Sequence, residues 1–463
     1  MCDVEKHHSG KSQTTRRDVL RAGLGAAIAV ALPAPFRSTR WLDAAEPDSR
    51  YLDAALAAGR WIRATAIDAP TGKGKTWPAV PPDEKSVQRD LYTGTPGVVL
   101  FLIELHRATN DRAWLELAVA GADDLVATLP SRPDGDRVGL YSGSAGVAYT
   151  LDEVARASGL ERFRQASDKT LGDIVASARD QGAGVDWNDT TDIISGSAGI
   201  GLYLLHAAAA RKDARARALA IRVGRRLLER EYRHGDTGFW MMMPSFTRNM
   251  PNFSHGTAGV SYFLASLAGE TGDRDFRDAA IRGATYLQAI ATPTLGDGRR
   301  IFHNDPDGRE LFYLSWCHGP AGTARLFQRL GSVTRDRKWI AYVPQLAQGT
   351  IASGVPERSP GFWNNISQCC GNCGVSDFFV SLYASTGKSE YLAFARKVAD
   401  DTLARGTPDG DGMKWIQAEN RVSPNEVYAQ TGLMQGAAGV GLSMLRLDGA
   451  LRGRKPTVVL PDA

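Results

Sequence analysis

The sequence predicts an all-α protein built from seven similar helical units. The first observation is a short phrase, Gly-x-x-Gly, whose first glycine occurs at positions 94, 143, 196, 256, 319, 371 and 436, spaced 49 to 65 residues apart. The second is a similar apolar run after each phrase, and the third is a more highly charged helical pattern before it. Such a loose period, with the same pattern in each unit, indicates an internal repeat.

Each phrase is predicted to begin a buried inner helix. The residue after the second glycine is always β-branched, as at Val98, and apolar residues follow at helical spacing, as at Leu102 and Leu105. Apolar residues three or four positions apart lie on one face of a helix. The two glycines let the backbone approach a neighbouring segment closely.

Outer helices are predicted before the phrases. The clearest are Glu161–Arg179, Ala214–Tyr232, Asp275–Ala291 and Glu390–Ala404. The unit is therefore an outer helix, a loop, a glycine turn and an inner helix. Seven units can close into a ring around a central cavity or stack as an open superhelix, although open helical repeats usually have a shorter period.

Residues 1–44 are predicted to lie outside the repeat domain, which takes residues 45–463. Arg16 and Arg17 precede the weakly apolar run Ala22–Leu32, which is the pattern of a twin-arginine export signal. The run is too short for a stable membrane anchor, because a spanning helix needs about 20 apolar residues. We therefore expect an exported protein, or a cytoplasmic one if this segment is only a basic tail.

The overall charge gives no reason to expect nucleic acid as a partner. The 463 residues carry a formal net charge of +4, with 43% hydrophobic and 23% charged residues, which is ordinary globular composition. No basic stripe with interleaved aromatic residues occurs, although such a stripe is typical of nucleic-acid-binding domains.

Four of the five cysteines lie in two consecutive glycine turns. Cys317 lies two residues before the fifth phrase, while Cys369 and Cys370 directly precede the sixth. Three thiolates at neighbouring turns predict a Zn²⁺ site with its fourth position open, the arrangement of catalytic zinc. Cys373 is predicted to be a small packing residue. Disulfide bonds are the alternative, because an exported protein meets an oxidising compartment.

Three further polar residues lie at the turns. His255 directly precedes the fourth phrase, His318 follows Cys317, and Asp192 lies four residues before the third phrase. Histidine transfers protons near neutral pH, and a nearby carboxylate can orient it. Each residue also has a structural interpretation, with Asp192 or a histidine capping a helix. No role is predicted for His106, His206, His234 and His303.

The chain resembles the lanthionine synthetase C (LanC-like) family over roughly residues 50–450. The resemblance rests on the seven phrases and on three motifs, Trp316-Cys317-His318-Gly319, Cys369-Cys370-Gly371 and Ser254-His255-Gly256. The resemblance implies an (α/α)7 toroid, a double ring of seven inner and seven outer helices, with one zinc ion per chain at one end of the central cavity. It also implies addition of a cysteine thiol to dehydroalanine or dehydrobutyrine, which makes a thioether ring.

The family motifs imply specific site residues. The implied zinc ligands are Cys317, Cys369 and Cys370. The implied catalytic residues are His255, Asp192 and His318. Many family members have Cys-His-Gly where this chain has Cys-Cys-Gly, a form that also occurs in the wider family. Some cyclases have an arginine where this chain has Tyr313, which limits the transfer of substrate contacts.

The implied substrate is a precursor peptide that has already been dehydrated. A separate dehydratase would have to dehydrate it, because no dehydratase domain fits in this chain. Two other functions remain open. One is the addition of a small thiol such as glutathione to dehydroamino acids, and the other is a zinc-containing toroid that binds a peptide without catalysis. A sugar-cleaving toroid fits less well, because such enzymes use a pair of carboxylates and no convincing pair occurs at the turns.

Overall fold

In the computed structural model, a double ring of helices accounts for most of the described residues, which are 48–131, 137–306, 308, 310–357 and 362–463. The predicted export signal, residues 1–44, lies outside these ranges. Within them, no helix is both long enough and apolar enough to cross a membrane.

The described residues contain fourteen α-helices, which alternate between the outer and the inner ring. The inner helices are α2 (Thr95–Thr109), α4 (Ser144–Ser158), α6 (Ser197–Arg211), α8 (Thr257–Thr271), α10 (Pro320–Thr334), α12 (Asn372–Thr386) and α14 (Ala437–Leu451). The outer helices are α1 (Arg50–Ala64), α3 (Arg112–Ala127), α5 (Glu161–Ala176), α7 (Ala214–Glu229), α9 (Arg274–Ile290), α11 (Arg337–Ile351) and α13 (Ser389–Ala404). The four predicted outer helices are confirmed to within three residues at either end.

Each inner helix begins one residue after the first glycine of its phrase. That glycine is the N-cap and has an extended backbone, as at Gly256. A Cβ atom at Gly256 would lie 1.4 Å from the carbonyl oxygen of Met250, and one at Gly322 would lie 1.9 Å from that of Trp316. Both contacts are impossible, so the glycines are required by the close approach of the preceding loop.

The outer helices pack on inner helices in a pattern that closes the ring. Each inner helix from α2 to α12 packs most closely on the outer helix that follows it, rather than on the one that precedes it as the predicted unit supposed. The first outer helix, α1, packs on the last inner helix, α14, which in turn contacts α2. The seven inner helices therefore form a complete circle, and the open superhelix is excluded.

Short β-strands, which the sequence did not predict, connect the helices. They are β1 (Ile67–Asp68), β2 (Lys75–Thr76), β3 (Arg179–Gln181), β4 (Gly184–Asp186), β5 (Tyr232–His234), β6 (Thr237–Phe239), β7 (Thr292–Pro293), β8 (Arg299–Arg300), β9 (Phe312–Tyr313), β10 (Phe362–Trp363), β11 (Gly406–Asp409), β12 (Gly412–Ala418) and β13 (Val427–Ala429). Strands β9 and β10 pair in parallel, and the other pairs, including β11–β12–β13, are antiparallel.

Four buried tryptophans fix the connections to the ends of outer helices. Each indole Nε1 donates to a carbonyl oxygen in the last turn of an outer helix, at 2.7 to 2.9 Å. The pairs are Trp77 and Ile62, Trp187 and Ile174, Trp240 and Leu227, and Trp415 and Thr402. Carbonyls in the last turn of a helix have no partner within the helix. Each indole therefore satisfies one such carbonyl while its ring fills the core.

A circle of seven backbone hydrogen bonds joins the turns at one end of the ring. The donor N–H and acceptor C=O pairs are Tyr92 and Tyr141, Tyr141 and Ile194, Ile193 and Ser254, Ser254 and Cys317, Cys317 and Cys369, Cys369 and Met434, and Met434 and Tyr92, at 2.8 to 3.1 Å. Nearly all of these residues lie two positions before a glycine phrase. The circle therefore fixes equivalent residues of the seven repeats side by side.

The last segment, residues 457–463, lies inside the ring. The hydroxyl of Thr457 donates to Glu104 near the end of α2, and the carbonyl oxygen of Val459 accepts from the hydroxyl of Tyr149 at 2.8 Å. Asp462, completely buried, reaches the turn end of the ring. The segment thus runs from the C-terminal ends of the inner helices towards their glycine turns.

Candidate functional site

Two consecutive turns bring the three candidate metal ligands together. The Sγ atoms of Cys317, Cys369 and Cys370 lie within 4.8 Å of one another, and all three side chains are buried. The N–H of Cys317 donates to the carbonyl oxygen of Cys369 at 3.1 Å, which holds the two turns side by side. The predicted convergence of these cysteines is therefore confirmed.

The spacing of the sulfur atoms fits a metal better than a disulfide bond. The Sγ atoms of Cys317 and Cys370 are 3.5 Å apart, whereas a disulfide bond is about 2.05 Å long. Tetrahedral zinc with Zn–S bonds of about 2.3 Å separates its sulfur ligands by about 3.8 Å. The three thiols are thus already near the spacing that zinc requires.

The thiols differ in their readiness to ionise. Burial raises the pKa of Cys317 and of Cys369. The pKa of Cys370 is lowered, because hydrogen bonds from the thiols of Cys317 and Cys369 stabilise its thiolate. Metal ions bind thiolates rather than thiols. The cluster therefore favours one negative charge that a cation would balance, and a soft or borderline divalent ion suits this donor set.

Polar side chains support the cluster from outside. Gln435 Nε2 donates to Cys370 Sγ at 3.7 Å and to the Tyr92 hydroxyl at 3.0 Å. The N–H of Cys370 donates to Ser367 Oγ at 3.0 Å, and Ser367 in turn donates to Asn365 Oδ1 at 2.7 Å. Groups of this kind orient metal ligands and adjust their basicity. Glutamine and tyrosine were not predicted, because neither residue type is itself a typical zinc ligand.

Cys373 lies outside the cluster. It is buried and free of disulfide bonds, like the other three cysteines of the described residues. It is not among the three cysteines whose sulfur atoms converge, and burial raises its pKa. These properties agree with the predicted packing role.

His255 and Asp192 form a hydrogen-bonded pair. His255 Nδ1 lies 2.6 Å from Asp192 Oδ2. The other carboxylate oxygen, Oδ1, accepts the N–H groups of Ser195 and Gly196, both at 2.8 Å, and Asp192 is completely buried. The carboxylate therefore caps the turn and orients the histidine at once. It keeps a proton on Nδ1, which leaves Nε2 of His255 for chemistry.

His318 lies beside this pair in the same site. Its ring centroid is 5.5 Å from that of His255, and its Nε2 is 3.5 Å from Ser254 Oγ. Its Nδ1 is buried and has no hydrogen-bond partner among the described residues. Burial lowers the pKa of His318, and the neighbouring His255 and His303 lower it further. This imidazole is therefore neutral at physiological pH.

A third histidine, His303, lies in the site although no role was predicted for it. Its ring centroid lies 4.2 Å from that of His318 and 4.6 Å from that of Tyr313. Burial lowers its pKa to about 4. His303 belongs to the connection between β8 and β9, outside the repeating positions, so no local pattern could have identified it.

One cavity of about 420 Å³ contains these groups. Its walls include all three cysteines of the cluster as well as His255, His303, His318, Tyr92, Tyr313 and Gln435. Charged groups at its edge come from Asp90, Glu419 and Arg421. Asp192 is not part of the walls, but it forms a hydrogen bond with His255. The structure therefore brings together all six of the predicted site residues.

Comparisons with known proteins agree with this arrangement. The family model of lanthionine synthetase C-like proteins matches residues 85–459. The solved structure of nisin cyclase is similar, with a TM-score of 0.57 and 15% identity over 78% of this chain and 93% of that chain. At this identity, the likeness concerns the fold, and it confirms the helical toroid.

Two further solved structures resemble the chain more weakly. The Lin0763 protein from Listeria innocua has a TM-score of 0.47 and 12% identity over 87% of this chain and 97% of that chain. An unsaturated glucuronyl hydrolase specific for heparin has a TM-score of 0.47 and 11% identity over 89% of this chain and 100% of that chain.

The family match spans most of the repeat region and its site motifs. The chain therefore belongs to the lanthionine synthetase C-like family.

Proposed function

We propose that this protein is a zinc-dependent enzyme that adds cysteine thiols to dehydroalanine or dehydrobutyrine residues of a peptide, forming (methyl)lanthionine rings. One observation carries the proposal: three converging sulfur atoms and an oriented histidine, His255, line the same cavity. Membership of the family and the cyclase-like fold support it.

Cys317, Cys369 and Cys370 would hold the metal. A zinc ion bound by three protein ligands offers an open position at which it lowers the pKa of a substrate thiol. Such help matters because a free cysteine thiol has a pKa near 8.5 and is mostly protonated at neutral pH. Gln435 and Tyr92 keep the ligands in place.

His255 supplies the proton that the α-carbon needs once the sulfur has added. Addition of sulfur to the β-carbon leaves negative charge on the α-carbon and its carbonyl group. Asp192 accepts a hydrogen bond from His255 Nδ1 and stabilises the charged imidazolium. His255 Nε2 can then deliver its proton to the α-carbon. Positioned acids and bases of this kind contribute roughly 10²–10⁴-fold to a rate.

The cavity walls position the two reacting groups. A volume of about 420 Å³ falls in the range of small-molecule sites, about 300–1,000 Å³. It is large enough for a cysteine side chain and a dehydroamino acid side chain together. The neutral His318 forms part of the wall beside His255 and can hydrogen-bond the developing negative charge.

The direct test uses the purified protein, zinc and a synthetic peptide that contains one dehydroalanine and one cysteine. Cyclisation leaves the peptide mass unchanged but removes the thiol, so the product no longer gains mass from a cysteine alkylating reagent. The product forms only with zinc-loaded protein if the proposal is correct. Product formation at the same rate without the protein, or none with it, would contradict the proposal.

The same assay separates the two alternatives. Addition of a small thiol such as glutathione raises the peptide mass by that of the thiol. A non-enzymatic toroid would bind zinc and the dehydrated peptide without changing the peptide. Three histidines line the cavity together with the cysteine cluster. They favour catalysis over simple binding, because oriented imidazoles serve proton transfer.

We also propose that a separate dehydratase prepares the peptide and that residues 1–44 direct export. Adjacent Arg16 and Arg17 before an apolar run support the second point. Cell fractionation and mass spectrometry of the mature N-terminus test it. Recovery of the uncleaved chain from the cytosol alone would contradict export.

A further inference from the structure

Exposed apolar side chains gather on one hairpin, residues 412–429, which we call the rim hairpin. It consists of β12, β13 and the segment that connects them. Ile416, Val427 and Tyr428 are 43 to 50% exposed, and Val422 is 78% exposed. These are four of the eight large hydrophobic residues that are exposed within the described ranges. Apolar groups gathered in this way mark a surface for a partner, whereas scattered ones need no explanation.

One face of the rim hairpin is fixed to the turns of the cysteine cluster. Gln417 Oε1 accepts from the N–H of Ile366 at 2.8 Å, and Gln417 Nε2 donates to the carbonyl oxygen of Gln435 at 2.6 Å. Gln435 in turn donates to the cluster. Successive side chains of a strand point to opposite faces. By the register of β12 and β13, Ile416 and Val427 therefore share the opposite face, which is open to solvent.

Strand β13 is a free edge of its sheet. The strand order is β11–β12–β13, so β13 is paired on one side only. In the part of the chain that the structure describes, no backbone–backbone hydrogen bond joins Val427, Tyr428 or Ala429 to any element except β12. The outward N–H and C=O groups of an edge strand are a template for another extended chain. The rim hairpin can therefore accept one more strand at β13.

The rim hairpin is continuous with the cavity that holds the cysteine cluster. The segment between its strands supplies Glu419, Asn420 and Arg421 to the cavity walls. Gln430, the residue directly after β13, donates to Glu419 at 2.8 Å. A chain paired with β13 would therefore lie next to residues that line the cavity.

The proposed substrate needs a surface of this kind. The cavity of about 420 Å³ holds the two reacting side chains, so the rest of a peptide has to lie outside it. We propose that β13 docks an extended segment of the substrate peptide by strand addition, with apolar side chains at every second position packed against Ile416 and Val427. This role rests on the proposed addition reaction. In such complexes, main-chain hydrogen bonds give affinity and alternate side chains give specificity.

The first experiment uses a fluorescent synthetic peptide that cannot react. Valine and threonine alternate over about six residues, the usual length of a strand, and serine and alanine replace dehydroalanine and cysteine. N-methylation of every second residue removes the donors on one edge of the extended peptide only. In fluorescence anisotropy, one methylation pattern should weaken binding by about 10-fold and the other should leave it unchanged. Equal affinities of the two methylated peptides, or no binding of the unmethylated one, would overturn the proposal.

A protein variant tests the same surface from the other side. Val427→Lys places a charge on the apolar face of the edge strand and should weaken binding of the unmethylated probe by about 10-fold. Leu295→Lys is the matched control, because Leu295 is an aliphatic residue between β7 and β8, 77% exposed, that does not line the cavity. Equal binding by the two variants would contradict the docking surface.

The other occupant of an open edge is a second copy of this chain. Analytical ultracentrifugation with and without the probe distinguishes the two. A monomer, or a dimer that the probe dissociates, agrees with the proposal. A dimer that Val427→Lys dissociates but the probe does not would overturn it.

The cyclisation assay separates this proposal from the proposed function. For a reactive peptide that carries the alternating segment, KM should be about 10-fold lower than for one with prolines in that segment, because proline lacks the N–H donor. The value of kcat should be the same for both peptides, and Val427→Lys should remove the difference in KM. Cyclisation with equal KM values in the wild type would overturn the docking surface and leave the proposed function intact. Binding of the probe without any cyclisation would contradict the proposed function and leave the docking surface in place.

Discussion

Cys317 donates its backbone N–H to the carbonyl oxygen of Cys369, and both residues lie two positions before a glycine phrase. This hydrogen bond belongs to the circle of seven that joins the turns. The repeat therefore does more than build a scaffold: it turns two distant cysteines into neighbours. Cys370, the next residue, completes the group of three sulfur atoms.

Removal of one cysteine from the cluster should abolish metal binding. Cys317→Ala leaves two sulfur ligands, which is too few for a stable zinc site. We expect about one zinc per chain in wild-type protein and almost none in the variant, as measured by mass spectrometry of the metal. Cys373→Ala is the control, because Cys373 is equally buried but outside the cluster. Equal zinc contents in wild type and Cys317→Ala would contradict the site.

Asp192→Asn should slow the reaction while preserving the fold and the metal. The asparagine oxygen can still accept the N–H groups of Ser195 and Gly196. Its amide nitrogen, however, donates to His255 Nδ1, so the proton of the neutral imidazole moves to Nε2. The imidazolium form of His255 also loses the carboxylate charge that balances it. We expect kcat to fall by roughly 10²–10⁴-fold with unchanged zinc content. An unchanged kcat would exclude the pair from proton transfer.

Gln435→Met should weaken zinc binding without removing a ligand. The variant keeps a side chain of similar length but loses the N–H group that lies 3.7 Å from Cys370 Sγ. Loss of such an outer contact usually costs about 10–100-fold in metal affinity. Competition with a chromophoric chelator measures this affinity. Gln328→Met, on the outside of the site, is a control for the general effect of the substitution; equal affinities of both variants would refute the role of Gln435.

Stability should decrease at acidic pH partly because of His206. Burial lowers its pKa in the folded protein from 6.5 to about 4, and Arg211 and Arg156 contribute in the same direction. Between these values the unfolded chain binds a proton that the folded protein does not, so stability is lost as the pH falls from about 6.5 towards 4. The predicted loss is about 2 kcal/mol by about pH 5.

His206→Gln removes this contribution and provides the measurement. The free energy of unfolding in urea should depend less on pH between about 7 and 5 in the variant than in the wild type, by about 2 kcal/mol. Other groups contribute equally to both proteins, so their effects cancel in the comparison. The same pH dependence in both would show that the folded histidine titrates normally.

The last segment should contribute strongly to stability through Asp462. This buried carboxylate accepts hydrogen bonds from the Tyr141 hydroxyl at 3.0 Å and from Trp316 Nε1 at 3.1 Å, and it pairs with Arg325. Asp462→Ala leaves the Tyr141 hydroxyl and the Trp316 indole without their acceptor, and Arg325 keeps only its hydrogen bond to the backbone carbonyl of residue 462. Breaking a buried ion pair typically costs about 3–5 kcal/mol. Denaturant unfolding should show such a loss, whereas the exposed Asp236→Ala should change stability by less than about 0.5 kcal/mol.

The sequence predicted those features that repeat. The glycine phrases start the inner helices because close backbone packing demands glycine at each turn, and this demand is visible locally. Asp192 and His255 were found for the same reason, since both lie at fixed distances from a phrase. His303 was missed because it reaches the cavity from an irregular connection. Its backbone N–H donates to the carbonyl oxygen of Leu311, the residue before β9, a contact that no repeat pattern predicts.

The pairing of α1 with α14 was equally hidden from local patterns. The first outer helix has the same kind of apolar face as its counterparts, and nothing in its own residues identifies its partner. Only the closure of the ring assigns it to the last inner helix. The short strands were missed because segments of two or three residues carry too little pattern to be distinguished from loops.

The contact between the first and last helices also sets an order of events during synthesis. Helix α1 leaves the ribosome before the other thirteen helices of the ring, but α14, on which it packs, is the last of them to be made. Until then, its apolar face has no permanent partner. A nascent chain can assemble consecutive hairpins as they emerge, yet its earliest helix must wait for its latest one. The ring therefore cannot close until α14 has left the ribosome.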